Sequence, residues 1–398
     1  MALVVWQQPW HHDAAPAPTA APNNSTAAAN AIAAQIQQLS KSTSRAEFVS
    51  AAGDSDAGRT WAEQTYDNIT ALGATDIAMT FVSGGEAGIR ADGGTNATVT
   101  VSWRPGAESG LSQVKTRDST VTFEMDRLAD DSFAVHDVLH DKGTMPLWLA
   151  GSLDLVRSEG ATVISVDGGN VNQPIADDAE RAHEAVREVV TSATARLVVI
   201  SPHTQDQAAE LIDQKPGAIS QLAAVTTSLD GSTKANASLM IMLNPMVFDT
   251  MDDRAAQIVM SHEATHMMTK AANTALETWV SEGFADYVAL HDDTAPLSVS
   301  AGQILRSVKT DGAPEKLPTS ADFGAQQHGL GATYESAWMI FRMLGERYGD
   351  SAVLTFYNDA LRGDSTEKAA QAAFGISVGE ITIDWRHYLE VNSASITS

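Results

Sequence analysis

His262 and His266 stand four residues apart, with Glu263 directly after the first. On a helix that spacing puts both imidazoles on one face, one turn apart, where they can reach a single ion. Glu263, beside the first ligand, can reach a metal-bound water without binding the metal, and is therefore placed to accept that water's proton. The chain contains no cysteine, so any further protein ligand must be His, Asp or Glu. Catalytic zinc sites of the two-His-one-Glu kind draw the Glu from a second helix and leave a position for water. Glu282 fits that role, because the fifteen residues between His266 and Glu282 suffice to finish one helix, turn around Lys270 to Thr274, and return antiparallel. Asp286, one turn further on, is placed to accept the outer N–H of a ligand histidine and fix its tautomer. The ion this donor set predicts is Zn²⁺, and the reaction is hydrolysis by an activated water with Glu263 as general base.

The elements that must carry these side chains are legible in outline. Thr250-Met251-Asp252-Asp253 reads as a capping box with two acids at the positive end of a helix that starts near Asp252. Upstream, Ile175 to Ala193 and Thr204 to Ile212 read as helices, Arg196 to Ile200 as a buried strand, and strands are expected near Val225 and at Ser238 to Leu243. Downstream the pattern is mainly helical. Further toward the N-terminus, Ile32, Ile36 and Leu39 fall at helical spacing within 27–48, and alternating runs such as Ala97 to Trp103 and Ser119 to Met125 predict an antiparallel sheet between Asp67 and Asp167. The polar stretch Asp167 to Pro174 reads as a linker. The expected organisation is α+β: a Pro/Ala-rich tether over 1–34, a small α+β domain over 35–168, and a mainly helical domain with a small sheet over 175–398.

Composition narrows the function. A formal charge of −25 argues against nucleic acid, whose phosphates need a Lys/Arg surface. With 43% hydrophobic and 19% charged residues the chain reads as globular rather than disordered or fibrous. The apolar run Ala2 to Trp6 is too short for a signal-peptide core or a membrane span. The Pro/Ala/Ser/Thr-rich stretch 16–26 is of the kind that holds a domain away from a membrane or wall. The expectation is an extracytoplasmic or cell-surface protein in which Leu3 to Trp6 is the end of a longer, lost membrane tether.

The third-ligand segment Trp279-Val280-Ser281-Glu282-Gly283-Phe284-Ala285-Asp286-Tyr287, following His-Glu-x-x-His, resembles the gluzincin superfamily of zinc peptidases, and within it the bacterial peptidase-MA-like domains. The resemblance covers roughly 175–398, and its specific part is confined to 256–287. It implies a zincin-like fold, a peptide or protein substrate, and an oxyanion-stabilising tyrosine, for which Tyr334 matches by order and context with His328 as rival. Aminopeptidases of this superfamily carry an acidic Gly-x-Met-Glu-Asn segment upstream. Here Leu239 to Asn244 occupies that place without an acid, which tilts the reading toward internal peptide bonds and makes this strand a candidate edge for pairing with an extended substrate. The N-terminal part resembles small domains of the nuclear-transport-factor-2 type, with no motif behind the likeness.

Blander readings stand beside these. Glu263 and Asp286 are read equally as solvated helix acids, and Tyr334 as a core aromatic. His136 and His140 repeat the four-residue spacing, but in a strand-like stretch with no adjacent Glu. The competing function is a non-catalytic cell-surface binding protein whose metal merely stabilises the scaffold.

Overall fold

The computed structural model describes residues 24–84, 94–169, 173–234, 236–324 and 329–396. Helices α1 (Asn24–Lys41), α2 (Arg45–Ala51) and α3 (Asp56–Ala71) precede four strands, β1 (Thr75–Gly84), β2 (Thr95–Arg104), β3 (Ser119–Arg127) and β4 (Phe133–Lys142), which form an antiparallel meander. The expected alternation is realised in register: Ala97 faces Phe123 and Val99 faces Val121, all four buried. The single helix expected over 27–48 is two helices, because Ser44 caps α2 by accepting from the Glu47 N–H. Of the stretch 1–34 expected as a tether, residues 24–34 are helical instead, since α1 begins at Asn24 and its Ile32 is already buried. Residues 1–23, including the Leu3 to Trp6 run, lie outside the described residues.

A second sheet follows: β5 (Leu153–Arg157), β6 (Ala161–Val166), β7 (Leu197–Pro202), β8 (Ala224–Ser228) and β9 (Leu239–Leu243), in the spatial order β5-β6-β7-β9-β8. Helix α4 (Gln173–Val189) bridges the parallel pair β6 and β7, and α5 (Gln205–Leu211) follows β7. The boundary expected at 168 therefore falls inside this unit. Strands on both sides of 167–174 share one ladder, with Val163 registered on Val199, so the polar stretch is a crossover connection. Sheet membership changes between Lys142 and Leu153 instead. There the Asn68 amide of α3 donates to the Gly151 carbonyl at 2.6 Å and accepts from the Leu153 N–H at 3.2 Å. Buried side chains from both sheets join one continuous core.

The remaining described residues are mainly helical: α6 (Pro245–Phe248), α7 (Asp253–Thr269), α8 (Thr278–Ala289), α9 (Leu297–Ser300), α10 (Gly302–Asp311), α11 (Leu330–Tyr348), α12 (Asp350–Leu361), α13 (Thr366–Phe374) and α14 (Val378–Ser395). Among the described residues the architecture is thus mixed α and β, with two sheets and a mainly helical C-terminal half. No helix among the described residues is long and apolar enough to cross a membrane.

Candidate metal centre

Helix α7 is capped by Asp252, whose carboxylate accepts from the Ala255 N–H at 2.8 Å. Thr250, expected to begin a capping box, instead donates its hydroxyl to the Val247 carbonyl. Every residue from Val259 to Met268 is buried, because α7 is sandwiched between α4, α8 and the second sheet. An all-round-buried helix is normally apolar. This one carries His262, Glu263 and His266, at 1%, 0% and 2% exposure. Polar and charged groups so deeply buried are costly unless partners compensate them, so the solvated-acid reading of Glu263 does not hold.

The chain leaves α7 through Lys270, whose left-handed backbone (φ 60°) ends the helix, and returns along α8. Gly283 lets α8 approach α11 closely: a Cβ there would lie 2.7 Å from the Ala337 carbonyl oxygen and 2.7 Å from Phe341. That contact seats the neighbouring Glu282, itself fully buried, against the two histidines.

Among the described residues, His262, His266 and Glu282 form a group whose ligand atoms converge closely enough to hold a metal ion. The His262 and His266 Nε2 atoms are 3.0 Å apart, and the Glu282 Oε2 lies 3.2 Å from the first and 3.4 Å from the second. Ligands at ~2.0 to 2.1 Å in a tetrahedral site are about 3.3 Å from one another, so the three atoms already stand at the edges of such a site. The other carboxylate oxygen of Glu282 is buried without a hydrogen-bond partner, as is Oε1 of Glu263. A cation among the ligands and a water beside it would satisfy groups that are otherwise expensive to leave bare. The donor set and these two orphaned oxygens therefore fit a divalent ion.

Electrostatics points the same way. Burial opposes ionisation of Glu282, but the His266 and His262 imidazoles outweigh it and hold its carboxyl down at about 2. Burial likewise opposes charge on His262, yet Asp286 and Glu282 prevail and push its imidazole well above the ordinary range. The fold thus surrounds His262 with negative charge that a cation would neutralise.

Asp286 sits where the sequence reading put it: its Oδ1 accepts from His262 Nδ1 at 2.7 Å, and the side chain is mostly buried rather than solvated. On His266, Ser281 brings its hydroxyl to 3.5 Å from Nδ1, a partner the sequence reading missed although it adjoins Glu282. Tyr334, at the start of α11, is buried with its ring centroid 6.2 Å from that of His262 and its edge against Phe323. His328 lies outside the described residues. Also missed was Thr226 of β8, whose hydroxyl is 2.7 Å from Glu263 Oε2. A contact spanning 37 positions leaves no local signal.

A cavity of about 250 Å³ touches the centre, lined among others by Arg254, Ile258, His262, Asp286, Tyr334 and Trp338. Three larger hollows among the described residues, beside Trp279, beside Gln38 and beside Trp61, are not lined by His262, His266 or Glu282. Arg254 on its wall is held by Asp293 at 2.6 Å and by Ser300 at 2.7 Å. Glu335, also on the wall, accepts from the Gln303 and Ile304 N–H groups at the head of α10, and burial nevertheless pushes its carboxyl upward.

One expectation fails. The strand Leu239 to Leu243 is no edge: β9 is buried between β7 and β8, and the edge beside Glu263 is β8. His136 and His140 fall on strand β4, in keeping with the strand-like reading of their stretch. His136 lies between Glu124 and Asp126 of the neighbouring strand and His140 against the Gly143 carbonyl. No protein-family model matches the chain, and no curated protein matches it either.

Proposed function

We propose that this protein is a zinc-dependent peptidase of the gluzincin type, cleaving internal peptide bonds. The observation that carries the reading is the convergence of His262, His266 and Glu282 Oε2 within 3.4 Å of one another, with Asp286 behind His262 and Glu263 on the same helix. In this reading the five-stranded sheet with α4, α7 and α8 is a zincin-like core, and the N-terminal meander with its three helices is a small α+β domain of the nuclear-transport-factor-2 kind. The Pro/Ala-rich stretch 16–26 favours an extracytoplasmic location.

Zinc, when bound by His262, His266 and Glu282, supplies Lewis acidity for a water and for the scissile carbonyl. Asp286 holds His262 in the tautomer that leaves Nε2 free to bind. Glu263 takes the proton of the attacking water through its unpartnered Oε1 and delivers it to the leaving amine. Tyr334 donates its phenol toward the developing oxyanion. An extended substrate adds to the free edge of β8, and the apolar walls of the adjoining cavity, such as Ile258 and Trp338, accept one of its side chains. No acid occurs in β8 to hold a substrate's free amine, which favours an endopeptidase over an aminopeptidase.

Near-complete burial of Glu263 and Glu282 favours one rival, a non-catalytic binding protein in which the metal stabilises the fold. Peptide-library cleavage profiling of the wild type beside Glu263→Gln, with metal analysis of both, separates the two. A peptidase cleaves as wild type and loses cleavage, but not zinc, in the variant. Bound zinc with no cleavage by the wild type overturns the proposal in favour of the scaffold.

A further inference from the structure

The general base of this centre is held by a residue of the sheet edge. Thr226 Oγ1 lies 2.7 Å from Glu263 Oε2 and 2.9 Å from the main-chain carbonyl oxygen of the same residue. One hydroxyl proton shared between these two acceptors ties the glutamate's carboxylate to its own backbone. Glu263 has three rotatable side-chain bonds, no exposure, and no partner on its other carboxylate oxygen. The Thr226 hydroxyl is therefore the group that selects which rotamer the carboxylate holds. Thr226 is itself fixed twice: its Cα is registered on Ile241 in the β8–β9 ladder, and its branched side chain restricts χ1. It shares the buried face of β8 with Ala224 and Ser228, whereas Val225 and Thr227 are more exposed.

We propose that Thr226 is the positioning residue for Glu263, holding Oε2 so that Oε1 is the oxygen offered to the water beside the metal. The proposal rests on the peptidase reading for its catalytic consequence, and on the contact geometry for the contact itself. It differs from simple satisfaction of a buried carboxylate in what it predicts. A satisfying bond affects stability alone, whereas a positioning bond controls turnover, because misplacing a base by about 1 Å costs on the order of 100-fold.

The test uses the full zinc-loaded chain. In Thr226→Val, kcat on the best-cleaved peptide is expected to fall about 10- to 100-fold with KM within about twofold and zinc content unchanged, and Thr226→Ser to recover most of kcat. Should the valine variant not fold, Thr226→Ala takes its place. A second measurement does not depend on activity. Denaturant midpoints of Thr226→Val, Glu263→Ala and the double variant form a cycle in which the valine substitution lowers the midpoint in the wild-type background and much less in the Glu263→Ala background. Equal lowering in both backgrounds overturns the proposal, and so does unchanged kcat in the valine variant or an equal loss in the serine one. Coupling in the cycle, with no peptide cleaved even by the wild type, overturns the peptidase reading and with it the positioning role, and leaves Thr226 as the partner that satisfies the buried carboxylate.

Discussion

Replacing Asp286 tests the centre through a residue that binds no metal. Its Oδ1 is 2.7 Å from His262 Nδ1, a charge-assisted bond in a largely buried setting. Asp286→Asn keeps an amide oxygen that can accept the same N–H, so the ring plane survives while the charge is lost. Asp286→Ala removes both. Partners of this kind typically contribute about 10- to 100-fold in metal affinity, so the asparagine variant is expected near the lower figure and the alanine variant near the upper, about 1.4 and about 2.8 kcal/mol. The pH dependence has a definite sign. Asp286 raises the proton affinity of His262 as well as its metal affinity, since burial alone would lower the former. At low pH the wild type must expel a more tightly held proton to bind zinc, so its advantage over Asp286→Ala is greatest at alkaline pH and shrinks as pH falls. Competition against a chromogenic zinc chelator between about pH 6 and pH 8.5 reads this directly. An Asp286→Ala affinity within about twofold of wild type at alkaline pH, or a ratio that widens on acidification, would refute the reasoning.

Gly283→Ala drives a methyl group into the Ala337 carbonyl and Phe341, both at 2.7 Å, and is expected to cost about 1 to 3 kcal/mol and to weaken zinc binding by shifting Glu282, read by urea unfolding and chelator competition. In the metal-free protein the Glu282 carboxyl is held at about 2 against an ordinary 4.5, so its stabilising contribution is full above the higher value and disappears as pH falls toward the lower. Glu282→Gln lacks that contribution, and its unfolding free energy should vary less than the wild type's across this window. Phe284 is fully buried and stacks on Tyr357 with centroids 3.7 Å apart, so Phe284→Ala should lower stability by about 3 to 5 kcal/mol in a thermal or urea melt.

What could be read from sequence follows the range of the interactions. The pairing of α7 with α8 was legible because His262, His266, Glu282 and Asp286 lie within one helix-turn-helix, where helical period and turn length alone bring side chains together. Strands β2 and β3 were legible for the same reason, since alternation shows in a single strand. The sheet edge was not. That β9 lies inside β8 depends on pairing with β7, whose sequence lies some forty positions earlier, and an apolar run reads alike at an edge or in the middle. The domain boundary failed similarly: a polar Gly-Asn-rich stretch looks the same whether it links domains or crosses from one parallel strand to the next. Burial was the least legible quantity and the most consequential. Periodicity allowed Glu263 to be a surface acid, and only the packing of α4, α8 and β8 around α7 gives it a dry environment in which an unmet carboxylate oxygen is costly. The motif supplied the types of residue the proposed chemistry needs, while the neighbours that contact them, Thr226 for Glu263 and Ser281 for His266, come from the tertiary fold.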